Sequence, residues 1–346
     1  MIRVLVVDDS AIAREALAGE LEDDEEMRVV GTAADGDEAI AAVAELRPDV
    51  VTMDIQMPGG GGLLAIEQIM ARTPVPIVVV SARARHDQTL SFEAVSRGAL
   101  EVAVKPAGPS DAAALRAAVR RVAGIPVIPH VRALRTQRIP LPPPAPPAVP
   151  TLSRAPKIVG LAASAGGPAA LDVVLGALPA SLPACVAIVQ HLPPGFVSSF
   201  ATYLRSRTPL EVMLVEPGPP VEAKPGRLLL AAGDHHLVAS SPRMFLASSD
   251  PPLRGHRPSA SILFSSLARV HGDLAIGVIL TGIGDDGASG LAELRARGAL
   301  TLGQDEATSA VYGMPSAAVK QGAVSRVLPL PEIAGAIRRA IDGAPR

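Results

Sequence analysis

Aromatic side chains are almost missing from this 346-residue chain, which has five Phe, two Tyr and no Trp. Rings that would stack on nucleobases are scarce, no block of Lys or Arg accompanies them, and the formal net charge is −2, so no nucleic-acid surface is expected. Cysteine occurs once, as Cys185 at the head of the apolar run CVAIVQ. A disulfide framework is thereby excluded, and the residue reads as core in a reducing cytoplasm. No apolar run reaches the length of a membrane span, and MIRVLVVDDS turns acidic too early for a signal peptide, so direct membrane insertion is not expected. What remains to build cores is Ala, Val, Leu and Ile, in a chain longer than one core usually fills; two domains follow.

Residues 1–123 alternate β-rich runs (IRVLVV, RVVGTA, DVVTM, PIVVVS, EVAVK) with helical patterns, the last being DAAALRAAVRRVA. Strict alternation with nearly continuous apolar strands predicts an α/β fold, a parallel doubly wound sheet with its working groups at the carboxyl ends of the strands. Those ends carry Asp8 and Asp9, Asp54, Ser81 and Lys105. Any one of these could simply cap a helix; together they suggest a site. Three converging carboxylates repel one another unless a cation sits among them, and Mg²⁺ suits carboxylate oxygens while keeping waters for a phosphoryl group. A lysine and a hydroxyl at neighbouring strand ends would hold phosphoryl oxygens.

Residues 124–156 contain LPPPAPPAVP and no helical or strand period, which predicts a semi-rigid polyproline spacer; a ligand for a proline-binding module is the sharper alternative. Alternation then resumes over 157–346, predicting a second, larger doubly wound domain. The stretch KPGRLLLAAGDHHLVASSPRMFLASS breaks the βα order and reads as a hairpin-like insertion.

The second domain opens on KIVGLAASAGGPAAL, an apolar run that stops at Ser164 and turns through Gly166 and Gly167 into a helix. A serine on such a turn points its hydroxyl away from the backbone beside unpaired helix N–H groups, although small residues at a βα turn also cradle phosphates. A serine nucleophile needs a base, and the base needs an acceptor that fixes its tautomer. His191 ends CVAIVQ and Asp286 follows LAIGVIL across TGIG, with Asp285 as second choice. The N–H groups near Ile283 and Gly284 are candidate oxyanion donors. His235 and His236 are adjacent and would face opposite sides of a strand, His256 in RGHRPS reads as a surface residue near a helix start, and no cluster has zinc-ligand spacing.

Two resemblances sharpen these expectations. DD, MDIQMP, VSA and VKP resemble the receiver domain of two-component response regulators. That likeness implies Asp54 as phosphoacceptor, Asp9, Asp54 and the Gln56 carbonyl around Mg²⁺, Asp8 supporting the ion, Ser81 and Lys105 as switch residues, and a cis peptide at Lys105–Pro106. MPGGGGLL departs from the family, which usually has a bulkier pair before a single glycine. In the second domain ASAGGP, QHLPPGF, AAGDHHL, HRPSASILF, TGIGDDGASGL and QDEATSAVYGMPSAA resemble, in order, the protein-glutamate methylesterases of bacterial chemotaxis. This implies a Ser164–His191–Asp286 triad that hydrolyses glutamate γ-methyl esters, and deamidates glutamines, on methyl-accepting chemoreceptors. Ala165, Ile283 and Gly284 would lie on the oxyanion and substrate side, with no cofactor in the esterase site. In the family an unphosphorylated receiver covers the site until the chemotaxis histidine kinase supplies phosphate. Ala162, Ala165 and Ile283 stand where the family commonly has glycine, threonine and methionine.

Overall fold

The computed structural model describes residues 1–58, 61–81, 85–125, 127, 158–192 and 194–343. Nearly all of the expected proline-rich spacer lies outside them. The chain divides into two compact units, Met1–Pro140 and Leu141–Arg346.

The first unit runs β1 (Ile2–Val7), α1 (Ala11–Glu22), β2 (Met27–Ala33), α2 (Gly36–Leu46), β3 (Val50–Met53), α3 (Gly61–Arg72), β4 (Ile77–Ser81), α4 (Arg85–Ser96), β5 (Glu101–Val104) and α5 (Pro109–Val122). Its strands are parallel in the order β2-β1-β3-β4-β5. The inner strands β3 and β4 are buried along their whole length, which is why they read as continuous apolar runs. Strand order reverses at β1, so a crevice opens between the carboxyl ends of β1 and β3, where Asp8 and Asp54 follow.

The second unit runs β6 (Ile158–Ala163), α6 (Gly167–Gly176), β7 (Cys185–Gln190), α7 (Val197–Arg205), β8 (Glu211–Val215), β9 (Val221–Glu222), β10 (Arg227–Ala231), β11 (His236–Ser241), β12 (Met244–Ser248), α8 (Ala260–Val270), β13 (Ala275–Ile279), α9 (Ala288–Ala296), β14 (Leu300–Gln304), α10 (Met314–Lys320), β15 (Arg326–Leu328) and α11 (Leu330–Ile341). Seven parallel strands form one sheet, β15-β14-β13-β6-β7-β10-β8. β6 lies between β13 and β7, which gathers the ends of these three strands on one rim. Leu263, Phe264 and Leu267 of α8 and Leu291 and Leu294 of α9 pack into the core on the sheet.

The insertion differs from the hairpin expected over 224–249. β11 and β12 do pair antiparallel, with β9 alongside, but β10 enters the parallel sheet between β7 and β8. RLLLA is almost wholly buried, as a strand covered on both faces must be, whereas an exposed hairpin strand would alternate.

Candidate active site

On the rim of the first unit, carboxylate oxygens of Asp8, Asp9 and Asp54 lie within 4.8 Å of one another, with Asp8 and Asp54 buried and Asp9 exposed. The Lys105 ammonium stands 2.6 Å from Asp54 and 2.7 Å from Asp8. Burial disfavours its charge, but the hydrogen bonds to the two carboxylates outweigh that and raise its pKa above the ordinary lysine value. Gln56 donates its backbone N–H to Asp54 Oδ1 at 3.0 Å, and Ser10 donates to Asp8 Oδ1 at 3.0 Å. Ser81 is buried at the end of β4, where its carbonyl accepts the Lys105 N–H at 2.8 Å. This all-oxygen, strongly negative donor set beside a lysine fits a hard divalent cation. The expected cis bond at Lys105–Pro106 is trans; among the described residues the cis bond is Arg257–Pro258. Trans is the default for X–Pro by about 0.5–1 kcal/mol, and Lys105 already reaches both carboxylates with it.

On the rim of the second unit, Ser164 is half-buried directly after β6. Its N–H donates to the Thr281 carbonyl (3.0 Å), and its own carbonyl accepts from Gly167 N–H (2.8 Å). The turn needs glycine at Gly166, which has φ +72° and whose Cβ would come within 2.5 Å of Ala310 Cβ. His191, one strand over, donates its backbone N–H to the Ala163 carbonyl at 3.1 Å. The Gln190 side-chain amide then bridges the two residues, donating to the carbonyls of Ser164 (2.8 Å) and His191 (3.1 Å). Ser164 and His191 therefore share one rim, held there by backbone as well as by strand register.

His191 Nε2 lies 2.9 Å from Asp286 Oδ2. The carboxylate requires a donor at that nitrogen, so the neutral ring carries its proton on Nε2 and leaves Nδ1 as the basic site. Asp286 is buried and also accepts from Ser259 Oγ (2.7 Å), Ala260 N–H (2.6 Å) and Ser261 N–H (3.1 Å) at the start of α8. Burial alone would raise its pKa; the His191 contact, the Ser259 hydroxyl and the helix N–H groups overcome it and hold the carboxyl far below the usual range. Asp285, the second choice, is exposed and pairs with Arg254 at 3.0 Å. The start of α8 separates these two neighbours; nothing in their immediate sequence does.

The turn after β13 holds Ile283 and Gly284, whose N–H groups are the candidate oxyanion donors. Among the described residues nothing accepts from the Ile283 or Gly284 N–H, and Gly284 is exposed with φ +87°. Gly282 braces this turn, its carbonyl accepting from Gly313 (3.1 Å) and Met314 (2.9 Å). Ala165 is buried, and its carbonyl accepts from Thr281 Oγ1 at 2.9 Å. Gln190, Thr281 and Ser259 escape the sequence reading because they act through partners far away in the chain, backbone carbonyls for Gln190 and Thr281 and the Asp286 carboxylate for Ser259. His256, read there as a surface residue, is half-buried with its ring stacked on that of His191. His236 is fully buried; its Nδ1 accepts the Ser259 N–H at 3.1 Å, so it braces the cap of α8.

A family described as CheB methylesterase matches residues 159–337, and the response regulator receiver domain family matches residues 4–120. The chain belongs to the CheB methylesterase family. A protein-glutamate methylesterase/protein-glutamine glutaminase of Anaeromyxobacter dehalogenans is 43% identical over 97% of this chain and 96% of its own length. One from Pyrococcus abyssi is 37% identical over 99% of this chain and 94% of its own length. The crystal structure of the Thermotoga maritima CheB methylesterase catalytic domain superposes with a TM-score of 0.51 at 34% identity, covering 54% of this chain and 98% of that domain. The likeness to CheB relatives thus spans both units, and Ser164, His191 and Asp286 all lie inside the methylesterase match.

Proposed function

We propose that this chain hydrolyses glutamate γ-methyl esters, and γ-amides of glutamine, on methyl-accepting chemotaxis receptors, with phosphorylation of Asp54 as the control. The observation that carries the catalytic reading is the His191 Nε2–Asp286 contact of 2.9 Å on the same rim as Ser164. Ser164 Oγ attacks the γ-carbonyl while His191 Nδ1 takes its proton. The N–H groups of Ile283 and Gly284, with that of Ala165 at the head of the α6 turn, face the developing oxyanion. His191 returns the proton to the departing methanol, or to ammonia from an amide. Water then attacks the acyl-enzyme with His191 again as base, and the receptor carboxylate is restored. No cofactor enters this cycle.

The functional division proposed is receiver 1–123, spacer 124–156 and esterase 157–346. In the receiver, Asp9, Asp54 and the Gln56 carbonyl would hold Mg²⁺, with Asp8 supporting it. When bound, the ion supplies charge neutralisation for phosphoryl transfer to Asp54 from the chemotaxis histidine kinase. Ser81 and Lys105 would then contact the phosphoryl oxygens. The setting is the cytoplasm, in keeping with the single thiol of Cys185, which burial pushes up to about 12 and so keeps inert.

Methanol release from methylated receptor membranes tests the reading. The wild-type chain is expected to release methanol, and Ser164→Ala to release none while keeping the wild-type unfolding transition. Release by Ser164→Ala at the wild-type rate would remove the serine mechanism. No release by wild type, with or without phosphodonor, would leave a receiver-linked scaffold instead.

A further inference from the structure

One hydrogen bond does not fix the plane of an imidazole. Nε2 lies close to the Cβ–Cγ axis of the ring and Nδ1 lies further off it. A small twist about that bond largely preserves the His191 Nε2–Asp286 contact while displacing Nδ1 more. Something must block the twist if His191 is to present Nδ1 reproducibly.

His256 lies where it does so. Its ring is stacked on that of His191 with centroids 4.4 Å apart and planes 9° from parallel. A twist of His191 would drive one edge of its ring into the face of His256. The stacking residue is itself held by a tight turn, in which Leu253 and His256 exchange backbone hydrogen bonds of 3.1 and 3.0 Å. Arg254 (φ +50°) and Gly255 (φ +83°) supply the two left-handed central residues that a type I′ turn requires. Arg254 then reaches Asp285 at 3.0 Å, tying the turn to the residue next to Asp286. The ring that covers the face of the base is thus carried on a short turn whose Arg254 pairs with the residue preceding the Asp286 carboxylate.

We propose that His256 is a positioning residue for His191, holding the imidazole plane so that Nδ1 stays directed at Ser164. The proposal rests on His191 being the base. It requires a flat ring at position 256 and no proton transfer by that ring.

The test uses the full chain with acetyl phosphate and Mg²⁺, reading methanol release against the concentration of methylated receptor membranes. His256→Ala is expected to lower kcat about tenfold or more, as loss of alignment does, with KM and the unfolding midpoint unchanged. His256→Phe, which keeps a flat face, is expected to recover most of that kcat. His256→Leu, which fills space without a flat face, is not, so the Phe and Leu pair carries the comparison if the alanine variant fails to fold. A wild-type kcat in His256→Ala, equal kcat in the Phe and Leu variants, or a loss confined to KM would overturn the proposal. His191→Ala in the same assay separates the two levels: if it still releases methanol, the base assignment fails and not merely its support.

Discussion

Two buried ionisable groups sit at opposite ends of α8, and their surroundings drive them to opposite answers. Asp286, at the start of the helix, is met by two backbone N–H groups, a hydroxyl and an imidazole, so it stays charged despite burial. His271, at the end, is buried with its Nε2 lacking any partner among the described residues, and burial lowers its pKa from 6.5 to about 4. A group whose folded pKa is depressed binds its proton more readily when unfolded. Between pH 6.5 and about 4 the unfolded chain therefore takes up a proton that the folded His271 refuses, and stability falls as pH falls through that window. Replacing His271 with Phe removes this contribution. Urea unfolding at pH 7 and pH 5 is expected to show wild type losing more stability than His271→Phe; equal losses would place the acid sensitivity elsewhere.

At the scale of elements, α8 couples stability to chemistry through its cap. Ser259 Oγ accepts the Ile262 N–H and donates its proton to Asp286, so one hydroxyl both closes the helix and holds the acceptor of the His191 imidazole, the proposed base. Ser259→Ala is expected to cost about 1 kcal/mol of stability, as removal of a cap does. Because Asp286 also loses a donor, kcat should fall with KM unchanged, read from thermal unfolding and methanol release on the same preparation. A stability loss with full kcat would reduce Ser259 to a cap alone. This double use is not legible in the sequence, where HRPSASILF shows only a serine ahead of an apolar helix. Legible there were the helices and parallel strands of both units, since apolar runs and 3.6-residue periods are local, and Ser164 and His191, since both follow directly from strands. Less legible were the entry of β10 into the sheet and the stack of His256 on His191. The insertion of β10 between β8 and the more distant β7, and the stack of His256 on His191, depend on pairings for which local pattern carries no signal.

At the scale of the molecule, Asp54 and Ser164, the proposed phosphoacceptor and nucleophile, lie in separate units with separate sheets, so the chemistry proposed at one is expected to be removable without dismantling the other. Asp54 is buried against Lys105 and receives the Gln56 N–H, contacts confined to the first unit. An amide at this position keeps the shape and the bond from Gln56 but offers no carboxylate to phosphorylate, and its charge no longer draws Lys105 toward β3. Asp54→Asn is therefore expected to retain the basal methanol release of the full chain, since the hydrogen bonds described for Ser164, His191 and Asp286 do not involve Asp54. What it should lose is the response to acetyl phosphate. Basal rate and stimulated rate, measured side by side, separate the outcomes. Stimulation that persists would move control to another acceptor. A basal rate that collapses would mean that the two units are coupled through the Asp54–Lys105 pair itself and not through the phosphoryl group.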